Sequence, residues 1–311
     1  MVKQKITIEQ LGQEVVEEIR RMIPQAEVDV REVRKNNNLL LHGITIRDSQ
    51  ESTGITPTIY LDNYYKEYCN DELTAEEIAE KIIELHLEER GKVSVDVSEL
   101  TDFNKAKKNL RIKLINTERN KEFLETIPHK EFLDMAMVYQ IKAIVEEKSV
   151  GTTVVTDSLL KLYGVSVDEL HEAALENMKA TEPADIAGMT SKLFGLASTM
   201  GVDPEIELEE LAERLEDEWM LIISNKSSIF GASQIVYEET LQKVASIFQQ
   251  SYFILPSSIH ECLAIRALGE CDVEGLKAMV KEINSTQVLP EEVLSDNVYF
   301  YNAETGELSI A

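Results

Sequence analysis

Apolar positions along this chain recur with two periods, one near 3.6 residues and one near two, so helices and strands are both expected. Ile8, Leu11, Val15, Ile19 and Met22 fall on one helical face, opened by a Thr7/Gln10 capping box and closed by Pro24. Thr74 and Glu77 open a second helix carrying Ile78, Ile82 and Ile83, with Gly91 as its stop. Ser166 and Glu169 open a third, leading into Leu170, Ala173 and Ala174. Asp185 is placed to cap a helix bearing Met189, Leu193, Phe194 and Ala197. Asp203 and Pro204 precede an acidic helix to Glu218. Val244, Ala245 and Phe248 mark a further helix, and Asp272 starts one through Leu276, Met279, Val280 and Ile283.

Strand patterns lie between these helices. Asn36, Asn37 and Asn38 read as a turn joining Val28–Val33 to Leu39–Ile46. Thr58–Leu61 follows. In Leu110–Ile115, Arg111 and Lys113 alternate with Leu110, Ile112 and Leu114, which predicts one wet face. Val138–Val145 and Thr152–Val155 form a second expected hairpin around Gly151. Trp219–Ile223, Tyr252–Leu255 and Val298–Tyr301 complete the set. Hairpins with flanking helices predict an α+β fold with largely antiparallel sheets. The expected division is an N-terminal α+β lobe over 1–127 and a C-terminal one over 128–311, with the boundary near Ile127–His129.

Charge changes this picture most. Asp and Glu outnumber Lys and Arg by 57 to 31, a formal net charge of −26 over 311 residues. Such a field repels phosphates and anionic lipid, so direct nucleic-acid or membrane binding is not expected; a basic protein partner is favoured. At the extreme the surface would imitate a nucleic acid, although high negative charge also serves solubility alone. The segment Gly201–Glu218 holds nine acidic residues and one basic one, Arg214, and reads as a solvated helix face. Apolar residues are 43% of the chain, enough for a sizeable core. No run approaches the ~18 apolar residues of a membrane helix, and a helix start at Thr7 stands where a signal peptide would have its apolar segment. Cys69, Cys262 and Cys271 fit no disulfide or zinc spacing and read as free thiols in a reducing cytoplasm.

Candidate chemistry is sparse. Glycine-rich phosphate loops and metal-type histidine spacings are missing, so no cofactor or metal is expected. The string Pro256-Ser257-Ser258-Ile259-His260-Glu261 holds the ingredients of an activated nucleophile, with Ser258, His260 and Glu261 as candidates for a hydrolase-like site. No nucleophile elbow accompanies it. The same string reads structurally, with Pro256 ending a strand and Ser257 or Ser258 capping the next turn. His42 shares a strand face with Leu40, Ile44 and Ile46 and is expected half-buried, while His129 is expected in a turn near Asp134. Tyr60, Tyr64, Tyr65 and Tyr68 read as core and rim packing.

Several strings together resemble an uncharacterised family of proteins of anaerobic gut bacteria, many encoded near mobile elements. They are Thr56-Pro57-Thr58-Ile59-Tyr60-Leu61, Asn120-Lys121-Glu122-Phe123-Leu124, Pro128-His129-Lys130-Glu131-Phe132-Leu133-Asp134, Leu255 to Glu261, and Leu294-Ser295-Asp296-Asn297-Val298-Tyr299-Phe300-Tyr301. The resemblance implies one full-length family protein and transfers no catalytic residue. Its mobile-element setting implies an interaction role in defence, counter-defence or element maintenance.

Overall fold

The structure, a computed structural model, describes residues 6–48, 56–89, 97–146, 149–192, 218–267, 269 and 271–311. Helix α1 (Ile8–Met22) starts at the Thr7/Gln10 capping box, and Leu11, Val15, Val16 and Ile19 point into the core. At roughly 1.5–3 kcal/mol per fully buried side chain, these four outweigh the cap, worth about 1 kcal/mol. Strands β1 (Ala26–Arg34) and β2 (Leu40–Asp48) form the expected hairpin, whose turn holds Asn37 and Asn38 at φ of 59° each. β3 (Thr58–Tyr60) completes an antiparallel sheet in the order β1-β2-β3. Helix α2 (Asp62–Cys69) carries Tyr64, Tyr65 and Tyr68 against the core of this sheet, as packing residues. Helix α3 (Ala75–Glu89), opened by Thr74 and Glu77, buries Ile78, Ala79 and Ile82 there too. Gly91 lies outside the described residues.

These elements belong to one of two units, Met1–Glu99 with Ile144–Val150; the other is Leu100–Ala143 with Gly151–Ala311. β4 (Leu110–Asn116), β5 (His129–Phe132), β6 (Met135–Glu146) and β7 (Ser149–Val154) form an antiparallel sheet, with β6 paired to the other three; β4, β5 and the parts of β6 and β7 outside Ile144–Val150 belong to the second unit. Residues 127 and 128, at the expected lobe boundary, precede β5 in this unit. Two helices follow, α4 (Asp157–Tyr163) and α5 (Val167–Thr181), the latter opened by the Ser166/Glu169 box.

A second sheet of six strands runs β13-β12-β10-β11-β9-β8. Its strands are β8 (Ala184–Gly188), β9 (Met220–Asn225), β10 (Tyr252–Ser258), β11 (Glu261–Arg266), β12 (Tyr299–Asn302) and β13 (Glu307–Ile310). Helix α6 (Glu238–Phe248) packs on one face through Leu241, Val244 and Phe248, sharing a core with Tyr252, Ile254 and Tyr299. Helix α7 (Val273–Thr286), capped by Asp272, covers the other through Val280, against Phe253, Leu255 and Val298. The unbroken apolar run Tyr252–Leu255 follows from burial on both faces. In β4, Leu110, Ile112 and Leu114 enter the main core from one face of the strand, and Ile115 on the other packs with Leu124, Ile127, Ala136 and Val138.

Several expectations are corrected. Pro256 does not end its strand: it pairs with Cys262, and because β12 reaches only Tyr252–Ile254, no third strand requires its missing N–H. Arg111 is not on a wet face but 2% exposed, with its guanidinium paired to the Glu182 carboxylate. Asp185 caps no helix; it pairs with Ser224 in β8, and helix begins after Gly188. His129 opens β5, with its Nδ1 at 3.0 Å from the Ile127 carbonyl. Gly151 lies inside β7 instead of the hairpin turn. Leu193, Phe194, Ala197 and the acidic segment up to Asp217 lie outside the described residues. Its last residue, Glu218, is 4% exposed and accepts hydrogen bonds from the backbone and hydroxyl of Thr190.

Candidate functional site

The Ser-Ser-Ile-His-Glu string forms the tip of the β10–β11 hairpin, with Ile259 and His260 as the turn. Ile259 is 4% exposed and belongs to the main core, so the tip is anchored. Its N–H donates to the Glu292 carbonyl at 2.9 Å. Ser257 Oγ donates to Glu261 Oε1 at 3.3 Å, and Ser258 Oγ accepts from the His260 backbone N–H at 3.0 Å. The string therefore joins serine to glutamate and serine to the histidine backbone, and it places no serine hydroxyl on the histidine ring.

The ring has other partners. His260 Nδ1 accepts from the Phe230 backbone N–H at 3.2 Å, and Nε2 faces Glu292 Oε1 at 3.4 Å. A neutral imidazole in this setting carries its proton on Nε2, toward the carboxylate. The imidazole stacks on Phe230 with centroids 5.6 Å apart and planes 14° apart, and Lys113 Nζ lies 4.8 Å from the Phe230 centroid. Phe230 has a left-handed backbone, φ 56°, a conformation that costs a bulky residue about 1–3 kcal/mol. Next to it, Gly231 leaves no room for a side chain: a Cβ would collide with Ser224 Oγ and lie 2.6 Å from the His260 carbonyl. That carbonyl accepts from Ser224 Oγ at 2.9 Å.

A second polar centre lies at Asp134, in the two-residue turn between β5 and β6, where Leu133 has φ 57°. Asp134 Oδ2 accepts from Ser295 Oγ at 2.6 Å and Asn297 Nδ2 at 3.0 Å; Oδ1 accepts from Tyr299 Oη at 2.7 Å. Burial, and secondarily the Asp134 charge, pushes the Tyr299 phenol above its ordinary range. Asn116 Nδ2 donates to the Leu294 carbonyl at 3.2 Å, and Arg119 pairs with Asp296 at 2.7 Å. Two of the strings that carry the family resemblance thus meet at Asp134, and a third contacts Glu292, two residues before Leu294.

Sequence reasoning missed a third centre. Arg111 pairs with Glu182, which lies just after α5; Lys142 Nζ is 3.8 Å from the same carboxylate and Asn225 Nδ2 is 3.4 Å from it. Cationic residues at alternate positions of an apolar strand were the one signal, and they read equally as a wet face. Elsewhere, His42 approaches Asp62 at 3.4 Å through Nδ1, half-buried as expected. His171 Nδ1 meets Tyr139 Oη at 3.0 Å. Burial holds the Cys262 thiol well above its usual range, which makes it a poor nucleophile.

A groove of about 900 Å³ opens between α6 and the β12–β13 turn, lined by Glu238, Gln242, Gln249, Tyr301, Glu304 and Gly306 among others. No Lys, Arg or His is among its described lining residues. Gln242 Nε2 donates to Glu238 Oε1 at 2.7 Å, and burial with the nearby Glu238 charge raises the Tyr301 phenol. A site with two carboxylates and no cation suits a donor-rich, positively charged ligand. Among the described residues, no group of three or more His, Cys, Asp or Glu side chains is arranged to hold a metal ion. No described helix is long and apolar enough to cross a membrane.

No curated protein and no solved structure matches the chain at a significant level. The model of a family of unknown function, DUF5688, matches residues 8–303, and the chain belongs to that family.

Proposed function

We propose that this protein acts by binding a basic protein partner, without catalysing a reaction. The observation that carries this is the groove beside α6, where Glu238 and Glu304 stand without a lining cation in a chain of net charge −26. Further support comes from the hairpin tip. A hydrolase built on Ser258, His260 and Glu261 needs Ser258 Oγ within ~3 Å of a free ring nitrogen, whereas both His260 nitrogens already have partners. The free thiols of Cys69, Cys262 and Cys271 suit a reducing cytoplasm. The test is capture from host lysate on immobilised protein, washed at low and then high salt, with a Glu238→Gln/Glu304→Gln variant alongside. One basic protein held at low salt, shed at high salt and lost from the variant is the expected result. Capture indifferent to salt, or loss of a measurable hydrolase activity in Ser258→Ala, argues for another function.

Imitation of a nucleic acid is a second reading, favoured by α3. Its exposed Glu77, Glu80, Glu84 and Glu88 recur at helical spacing, with Lys81 interposed. In that case neutralising Glu80, Glu84 and Glu88, and not the groove pair, releases the partner, and nucleic acid competes for it.

A further inference from the structure

The Arg111 side chain is 3% exposed, and burial pushes its pKa down to about 10. A buried guanidinium needs a countercharge and acceptors for its five N–H donors. Glu182 supplies the countercharge through Nη2, but the same carboxylate serves Lys142 and Asn225. Two cations share one anion. Arg111 Nη1 is buried without an acceptor among the described residues. Directly across the β4–β6 pair, Gln140 is 6% exposed and its Oε1 is buried without a donor. A buried group left unpaired has lost its water partners without replacement, a cost that is greatest when the group is charged.

The geometry points to a binding site for a small hydroxylated oxyanion, a carboxylate or a phosphate, at Arg111, Gln140 and Lys142. Its anionic oxygens accept from Arg111 Nη1 and Lys142 Nζ, and its hydroxyl donates to Gln140 Oε1. A ligand of this kind supplies the second negative charge and satisfies both orphaned atoms, which an apolar or cationic molecule does not. Lys142, whose side chain is 25% exposed, is the solvent-facing member of the cluster. This site has the opposite charge preference from the groove beside α6 and stands independently of the partner proposed for it.

The experiment measures thermal melting and calorimetric titration of the full chain with inorganic phosphate, glycerol phosphate and lactate, each against chloride at equal ionic strength. Phosphate against lactate reports which oxyanion is taken; glycerol phosphate against inorganic phosphate reports the hydroxyl. The expected result is that at least one oxyanion raises the melting temperature and chloride does not. Lys142→Met, on the partly exposed residue, then weakens that binding at least about tenfold, and Gln140→Leu removes the advantage of the hydroxylated phosphate. The inference is overturned if all probes follow ionic strength alone, or if Lys142→Met binds as tightly as the parent. Arg111→Met is not the deciding variant, because it strands Glu182 and threatens folding.

Discussion

The imidazole of His260 accepts a hydrogen bond from the backbone N–H of Phe230, thirty residues away in sequence, and so holds a bulky residue in a left-handed conformation. The ring thereby clasps the segment after β9. Removing the clasp has a definite cost. His260→Ala loses the Phe230 acceptor and the ring stack, and is expected to destabilise the protein by about 2–3 kcal/mol. Ser258→Ala removes one turn hydrogen bond and is expected to cost about 1 kcal/mol. Equilibrium denaturation of the two variants checks the order; a larger loss for Ser258→Ala would contradict the clasp.

Gly231 gives the sharpest steric prediction. Even alanine there meets Ser224 Oγ and the His260 carbonyl, neither at the end of a long flexible side chain. Gly231→Ala is expected to cost about 2–3 kcal/mol by forcing the two segments apart. Equal stability to the parent, measured in denaturant, would show that this packing is looser than described.

Asp134 is expected to be among the more sensitive polar residues of the second unit. Asp134→Ala strands the hydroxyl of Ser295, the amide of Asn297 and the phenol of Tyr299, for about 3–5 kcal/mol in sum. Tyr299→Phe removes one donor and is expected to cost about 1–2 kcal/mol. A double-mutant cycle between the two should return a non-additive term, since Tyr299→Phe has nothing left to break once Asp134 is gone.

Local chemistry was legible in the sequence, and distant chemistry was not. The boxes at Thr7/Gln10, Thr74/Glu77 and Ser166/Glu169 are contacts over three residues, so residue type at that spacing reveals them. The turn at Asn36–Asn38 was readable for the same reason. β8 was misread because Ala184–Gly188 has little strand character of its own and is held by pairing to β9. The partners that define the hairpin tip and the Asp134 centre come from Phe230, Glu292 and Ser295, 30 to 161 residues away, and no periodicity points to them. Serine, histidine and glutamate adjacent in sequence suggested catalysis; the hairpin joins Ser257 to Glu261 and Ser258 to the His260 backbone, while the ring meets Phe230 and Glu292.

Alkaline pH is expected to unfold the second unit through its tyrosines. Burial pushes Tyr163 up to about 12 from an ordinary value of 10.0, and raises Tyr139, Tyr237, Tyr252 and Tyr299 further. Folding therefore favours the neutral phenols. Their contribution is intact below pH 10.0 and declines as pH rises through the folded-state values. Phenolate absorbance followed with circular dichroism should show these residues ionising together with unfolding, not before it.

Recognition of a basic partner by the acidic groove is tested most directly by the dissociation constant of the purified partner as a function of salt. For the parent protein, affinity is expected to fall at least about tenfold from low to physiological salt and beyond. The Glu238→Gln/Glu304→Gln variant should start weaker at low salt and show a flatter dependence. Equal affinity of parent and variant at every salt concentration would contradict that recognition and remove the groove from the function of the protein.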